Sequence, residues 1–393
     1  MAIFHQLFPK LKQSGTRIEP LKNHQEAYPH TSINKIKLVK DLRYYVNLLG
    51  LELQQYKLLT EDGFYIILQR LVDPKENDTV QKPPILLLHG LLQSSGSFVT
   101  SGVKSLSFLL FEKGYDVWLG NNRCGFNPEH RFLSPNDPAM WSWDLVDMAT
   151  KDLPCMIDNI LKINVHYSKV SLCCHSQGST QAFIALSPKH SRHFEDKVES
   201  FIALAPAVYG GRLLNEKFFI KFINKLTPTC YKLFFGINSF MPIMMDFRNL
   251  IYKRRIFGFL SYAMFSYLFG WSDALWDPSL RSIHFLFSPV YVSSQLMKWW
   301  LSSDGFVDSK SIFNHEVNWF NENTPPMLLV IAELDKLVDG QKLMEHLNIY
   351  EPKYKKFEAV HLDNYAHLDV LWADDVHDKV GAPMLEFLNK VYS

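Results

Sequence analysis

A serine, a histidine and an acid can together cleave a carboxylic ester. The hydroxyl attacks, the imidazole takes its proton, and the carboxylate orients the imidazole. In this 393-residue chain Ser176 stands in Cys174-His175-Ser176-Gln177-Gly178. A strand-like apolar run over 169–174 precedes it, and helical spacing over 177–186 follows. A sharp strand-to-helix turn there would strain the serine backbone and lift its hydroxyl clear of the sheet. Small residues two before and two after the serine let strand and helix approach; Gly178 meets that need and Cys174 only partly. An ordinary serine in a strand–helix turn is the competing reading, and the flanking elements favour the elbow. A developing oxyanion needs two fixed N–H donors. The Gln177 N–H at the helix start is one. The Leu91 N–H, in His89-Gly90-Leu91-Leu92-Gln93 after an earlier apolar run, is the other. His89 precedes the serine in a tight turn and reads as a structural, hydrogen-bonded residue.

Asp335, in Glu333-Leu334-Asp335-Lys336-Leu337-Val338-Asp339, follows the apolar run 328–332 and is placed to be the acid. Glu333 and Asp339 are alternatives, and a solvated charge or a helix cap is the ordinary role for any of the three. Two histidines follow: His361 in Val360-His361-Leu362-Asp363 and His367 in Tyr365-Ala366-His367-Leu368-Asp369. Both precede Leu-Asp, so the tripeptide does not separate them. His361 abuts a strand, whereas His367 lies in the loop before the last helix, with room to swing over Ser176, and is preferred. His377 falls within that helix.

The elements that must hold these groups alternate. Strands are expected over 56–60 and 64–68, joined at Glu61-Asp62-Gly63, then over 84–88, 115–119, 169–174 and 198–204. Helical patterns lie between them, ending at Gly114 and spanning 145–163 and 177–186. Strand returns at 327–331 and 357–360, and a last helix runs from about 374 to 391. Such alternation means a mostly parallel sheet flanked by helices. The formal charge of +1 offers no field for gripping nucleic acid. Five scattered cysteines without metal-ligand spacing speak against a disulfide framework or a zinc site and suit a reducing compartment; no metal or other cofactor is expected.

Longer motifs give a resemblance to the acid-lipase-like branch of the α/β hydrolases: gastric and lysosomal acid lipases and fungal steryl ester hydrolases. Residues 56–64 look like its T-x-D-G-Y segment. The run Gly114-Tyr115-Asp116-Val117-Trp118-Leu119-Gly120-Asn121-Asn122-Arg123 is similar to its G-Y-D-V-W-L-G-N-x-R signature. Trp143 with Asp152-Leu153-Pro154 resembles its W…D-L-P segment, and His175-Ser176-Gln177-Gly178 its H-S-Q-G elbow. His367-Leu368-Asp369 with Trp372-Ala373 resembles its H-L-D-x-x-W-[GA] ending, which favours His367 over His361. Departures are Cys174 for the first elbow glycine and Cys124-Gly125-Phe126 for R-G-N. The resemblance covers roughly 40–390. It implies an α/β-hydrolase fold, a Ser176–His367–Asp335 triad, and neutral-lipid ester substrates, steryl esters or triacylglycerols. A broad carboxylesterase and a catalytically silent, membrane-associated lipid binder are the rival expectations.

Between the two halves of the sheet, residues 231–300 hold 19 aromatics and ten charged residues. The expected organisation is an extension (1–40), a first core part (41–205), an inserted cap (206–324) and a second core part (325–393). Within the cap, 256–271 carries no charge and follows Lys253-Arg254-Arg255. At 16 residues it is short of the ~20 that cross a bilayer. A pair of buried cap helices, an interfacial segment or an acyl-tunnel wall are its readings. The start, with Ile3, Phe4, Leu7, Phe8 and Leu11 on one helical face but interrupted by Pro9, reads as a frayed terminus rather than a surface anchor. No secretory signal pattern is seen, so the expectation is an intracellular protein, not secreted, at a membrane or lipid droplet.

Overall fold

The computed structural model describes residues 27–29, 31–76, 81–254, 256–303, 305–309, 312–313, 318–351 and 353–393. The expected amphipathic start, residues 3–11, and Arg255 lie outside them. Nine strands among the described residues make one sheet: β1 (Glu52–Leu59), β2 (Phe64–Val72), β3 (Pro84–Leu88), β4 (Asp116–Gly120), β5 (Glu129–His130), β6 (Val170–His175), β7 (Val198–Leu204), β8 (Met327–Ala332) and β9 (Phe357–Leu362). Their spatial order is β1-β2-β4-β3-β6-β7-β8-β9, with the two-residue β5 beside β2. The hairpin β1–β2 and the pairs β2–β4 and β2–β5 are antiparallel; every other pair is parallel.

Apolar runs without alternation form the parallel strands because both sheet faces are covered. Leu86, Leu88, Trp118, Leu172 and Cys174 enter the core on one face. Ile85, Leu87, Val117, Leu119 and Cys173 enter the core on the other. The adjacent cysteines therefore point to opposite sides, and all five cysteines are unpaired.

The Gly114–Arg123 signature acquires a physical meaning here. Buried Asp116 accepts from Arg70 Nε (2.6 Å), Trp118 Nε1 (2.9 Å) and Asn164 Nδ2 (2.7 Å), tying β4 to its surroundings. Asn122 exchanges two side-chain hydrogen bonds with Gln181, on the helix Gln177–Leu186 that follows Ser176. Arg123, fully buried, meets Asp152 and reaches Asp62 in the β1–β2 turn, both at 2.8 Å. Removing one partner of such a buried pair strands the other charge, at roughly 3–5 kcal/mol. The sequence reads 145–163 as one helix; the structure inserts a π-turn at Met148–Asp152 between Leu145–Asp147 and Leu153–Ile163. The wider turn carries Asp152, which meets Arg123.

Three expectations are corrected. Strand β9 runs through Leu362, so His361 lies within it. The last helix does not start near 374: a π-turn at His377–Gly381 leads into Ala382–Tyr392. Residues 256–271 form one helix, Ile256–Phe269, not two. It buries Phe257, Ser261 and Phe265 while Ile256, Phe259 and Tyr267 face solvent. No helix among the described residues is long and apolar enough to cross a membrane.

Candidate active site

Ser176 sits in the bend between β6 and the helix Gln177–Leu186, with φ 51° and ψ −117°. That strained backbone persists because its surroundings dictate it. The Ser176 N–H donates to Leu204 O on β7 at 3.0 Å. A Cβ on Gly178 would lie 2.6 Å from Leu88 O, and one on Gly90 would lie 3.0 Å from the Ser176 Cβ. At Gly178 the clash is with backbone, so only glycine permits that approach. Cys174 is accommodated because it falls within β6 and is fully buried in the core on one face of the sheet.

The chain then brings two distant residues to Ser176. His367 Nε2 lies 2.8 Å from Ser176 Oγ, and its Nδ1 lies 2.6 Å from Asp335 Oδ2. Since the carboxylate accepts, Nδ1 carries the proton and Nε2 is free to accept from the hydroxyl. Asp335 follows β8 and is itself held: Oδ1 accepts from the N–H groups of Leu337 (2.8 Å) and Val338 (3.2 Å). His367 is fixed from behind by the His175 ring, whose Nε2 meets the His367 carbonyl at 3.1 Å and whose Nδ1 meets Gln93 Oε1 at 2.9 Å. Burial pushes the His175 imidazole well below its ordinary range, with His367 adding to the effect. Asp369, which accepts from Ala366 N–H and Trp276 Nε1, both at 2.6 Å, closes the turn that carries His367. Burial raises that carboxyl to about 6.

The alternatives read from the sequence are placed elsewhere. Glu333 and His361 meet each other at 2.6 Å on a half-exposed part of the surface. Asp339 caps the helix Gly340–Tyr350 by accepting from Lys342 N–H. His89 Nδ1 donates to Gly90 O and its Nε2 accepts from Asn122 N–H, so it is locked away from Ser176. Burial lowers it to about 4. His377 bonds to Ser105 O. Gln177, as first residue of its helix, has an N–H with no acceptor inside the helix. Leu91 and Gln177 both line the cavity that opens over Ser176.

Residues of the inserted segment supply much of that cavity's lining. Apart from Gln93, His175, Ser176, Gln177, Ser288 and His367 its wall is apolar. Sequence reasoning missed two of its parts. Trp271, from the inserted segment, stacks on the His367 ring at 5.6 Å between centroids with planes 10° apart. Trp300 donates from Nε1 to Gln177 Oε1 at 2.9 Å. The only signal in the sequence for either was the aromatic excess, which says nothing about which ring meets the histidine.

With this geometry in view, similarity to known proteins is informative. Residues 42–102 match the partial alpha/beta-hydrolase lipase region, and residues 83–235 match the alpha/beta hydrolase fold. Sterol esterase 2 of Saccharomyces cerevisiae is 41% identical, over 90% of this chain and 72% of that one. Gastric triacylglycerol lipase of Bos taurus is 29% identical, over 84% and 86%. Lipase 1 of Drosophila melanogaster is 27% identical, over 87% and 78%. Among solved structures, an alpha/beta hydrolase from Novosphingobium aromaticivorans superposes with a TM-score of 0.51 at 12% identity, over 86% of this chain and 98% of that one, a likeness of fold alone. By sequence likeness along nine-tenths of its length, and by its fold, the chain belongs to the acid-lipase-like branch of the α/β-hydrolase superfamily.

Proposed function

We propose that this carboxylic ester hydrolase acts on neutral lipids, steryl esters and triacylglycerols, through an acyl-enzyme on Ser176. His367 Nε2 takes the Ser176 proton as Oγ attacks the carbonyl carbon, and Asp335 stabilises the imidazolium. The N–H groups of Leu91 and Gln177 hold the oxyanion. Collapse expels the alcohol, which receives the proton from His367; water, activated by the same imidazole, then releases the fatty acid. The observation that carries this reading is the unbroken line Ser176 Oγ–His367–Asp335, at 2.8 and 2.6 Å, opening into an apolar cavity. A polar substrate would gain little from such a wall. Wild-type protein is expected to label with a fluorophosphonate probe and to release fatty acid from cholesteryl oleate and triolein. Unlabelled protein would favour a silent lipid binder, and a strong preference for a short soluble ester would defeat the lipid assignment.

The same reading puts the protein on a membrane or lipid-droplet surface inside the cell. Supporting it, Phe218, Leu233, Ile243 and Leu250 of the inserted segment are 78–82% exposed, among the exposed Lys221, Lys225, Lys232 and Lys253. Inserting each such side chain into lipid gains roughly 1.5–3 kcal/mol, and the lysines suit anionic head groups. The unpaired cysteines accord with a reducing compartment. Co-flotation with phosphatidylcholine vesicles containing phosphatidylserine is the expected result. The combined variant Leu233→Ser, Ile243→Ser, Leu250→Ser should stay at the bottom of the gradient while keeping its fluorophosphonate labelling. Wild type that never floats at physiological salt contradicts the surface.

A further inference from the structure

The Leu91 N–H assigned above to the oxyanion has no hydrogen-bond acceptor among the described residues. Its direction is set through the peptide it belongs to. That peptide is planar and trans, so holding Gly90 O on one side points the Leu91 N–H to the other. Gly90 O accepts from His89 Nδ1 at 2.8 Å and from Gln93 N–H at 3.3 Å. On the near side the Gly90 N–H donates to Gln93 Oε1 at 3.0 Å. Gln93 reaches back over Gly90 because Leu92, between them, adopts the left-handed region at φ 60°, with its carbonyl accepting from Val290 N–H at 3.0 Å. A leucine is strained there and persists only where its surroundings dictate it. The groups close tightly: a Cβ on Gly90 would lie 2.9 Å from both Gln93 Oε1 and His175 Nδ1.

We propose that Gln93 is a positioning residue for the oxyanion: its amide oxygen, clamped between the Gly90 N–H and the His175 ring, aims the Leu91 N–H at the oxygen of the attacked ester. The proposal rests on the ester-hydrolase reading above and adds what holds one of its two donors. Gln93 is buried, and His175 Nδ1 lies 2.9 Å from the same Oε1. Since the Gly90 N–H occupies one lone pair of that oxygen, His175 Nδ1 donates to the other. His175 directly precedes Ser176, so the neighbour of the nucleophile secures the group that aims the donor. Glycine at position 90 lets the loop approach Ser176 closely, but it also leaves the backbone many conformations. The Gln93 clamp removes that freedom. A donor fixed in advance need not reorient when charge develops, which is where an oxyanion donor has most of its effect.

The test compares two full-length variants. Gln93→Met has similar length but no amide oxygen; Gln93→Glu keeps oxygens that accept from both N–H groups. On p-nitrophenyl butyrate Gln93→Met is expected to lower kcat about 30-fold with KM within about threefold, because a misdirected donor is missed chiefly by the charged transition state. Gln93→Glu should stay within about fivefold of wild type. A long-chain alkyl trifluoromethyl ketone gives a second readout. Ser176 Oγ adds to its carbonyl carbon, the hydroxyl proton passes to His367, and the carbonyl oxygen becomes the oxyanion. Its Ki should rise about 30-fold in Gln93→Met, while that of the matching unfluorinated ketone, which stays a carbonyl, holds within about twofold. A Gln93→Met protein that melts like wild type, labels fully with fluorophosphonate and keeps kcat within about threefold overturns the proposal. So does an equal loss in Gln93→Glu, or an equal weakening of both ketones, which marks a collapsed cavity and not a misdirected donor. Should Gln93→Met fail to fold, Gln93→Ala carries the same comparison. Wild type that itself fails to label would remove the catalytic reading, an outcome distinct from a labelled enzyme indifferent to residue 93.

Discussion

Ser176→Ala and His367→Ala are each expected to lower kcat on a nitrophenyl ester by about 10⁶-fold, and the double variant by no more than either alone. On the proposed mechanism the two side chains act as one unit. Without Nε2 at 2.8 Å the hydroxyl keeps its proton, and without Oγ the imidazole has nothing to deprotonate. Residual turnover of about 10³-fold over water would remain from the oxyanion donors and binding. The fold should survive Ser176→Ala, because Oγ is bonded only to His367 among the described side chains and the backbone already holds its unusual φ. Thermal melts within a few degrees of wild type would show this. A His367→Ala protein retaining a tenth of the activity would sink the assignment, and multiplicative losses in the double variant would show that the residues do not act together.

Asp335→Asn should cost about 10⁴-fold in kcat, whereas Glu333→Gln should leave kcat within about twofold. The difference follows from hydrogen-bond direction. Oδ1 of Asp335 is held by two backbone donors, Leu337 and Val338 N–H, so the amide oxygen of an asparagine keeps that side. Its NH₂ then faces His367 Nδ1, donor against donor. The ring escapes by moving its proton to Nε2, the atom that has to accept from Ser176. Glu333 has no such leverage. Its partners are His361 and Gln341, and contacts as exposed as these contribute at most about 1 kcal/mol to stability. Comparing kcat for both variants across pH separates the two acids. Equal losses would place the orienting charge elsewhere.

Much of this site could be read before the coordinates, for identifiable reasons. The strand at Val198–Leu204 and the helix at Gln177–Leu186 agree to the residue, because unalternating apolar runs and helical spacing are local properties. The two His-Leu-Asp tripeptides show where local reading ends. His361 and His367 carry the same neighbours, and what distinguishes them is that one is spent on Glu333 while the other reaches across to Asp335. The π-turn at Met148–Asp152 leaves no compositional trace, since one extra residue per turn alters geometry and not residue type. The helix Ile256–Phe269 was illegible for the opposite reason: it is apolar on every side, so its periodicity names no face. Trp271 over His367 and Gln93 behind His175 join residues 96 and 82 positions apart, contacts that only the finished packing defines.

The excursion that supplies Trp271 begins after Leu204 and ends before Met327, on strands that are hydrogen-bonded neighbours. Ser176 precedes it and Asp335 and His367 follow it; it leaves from the C-terminal end of one strand and returns at the N-terminal end of its parallel neighbour. The whole roof can therefore be lengthened or trimmed between those two anchors without moving the strand ends that set the spacing of Ser176, His367 and Asp335.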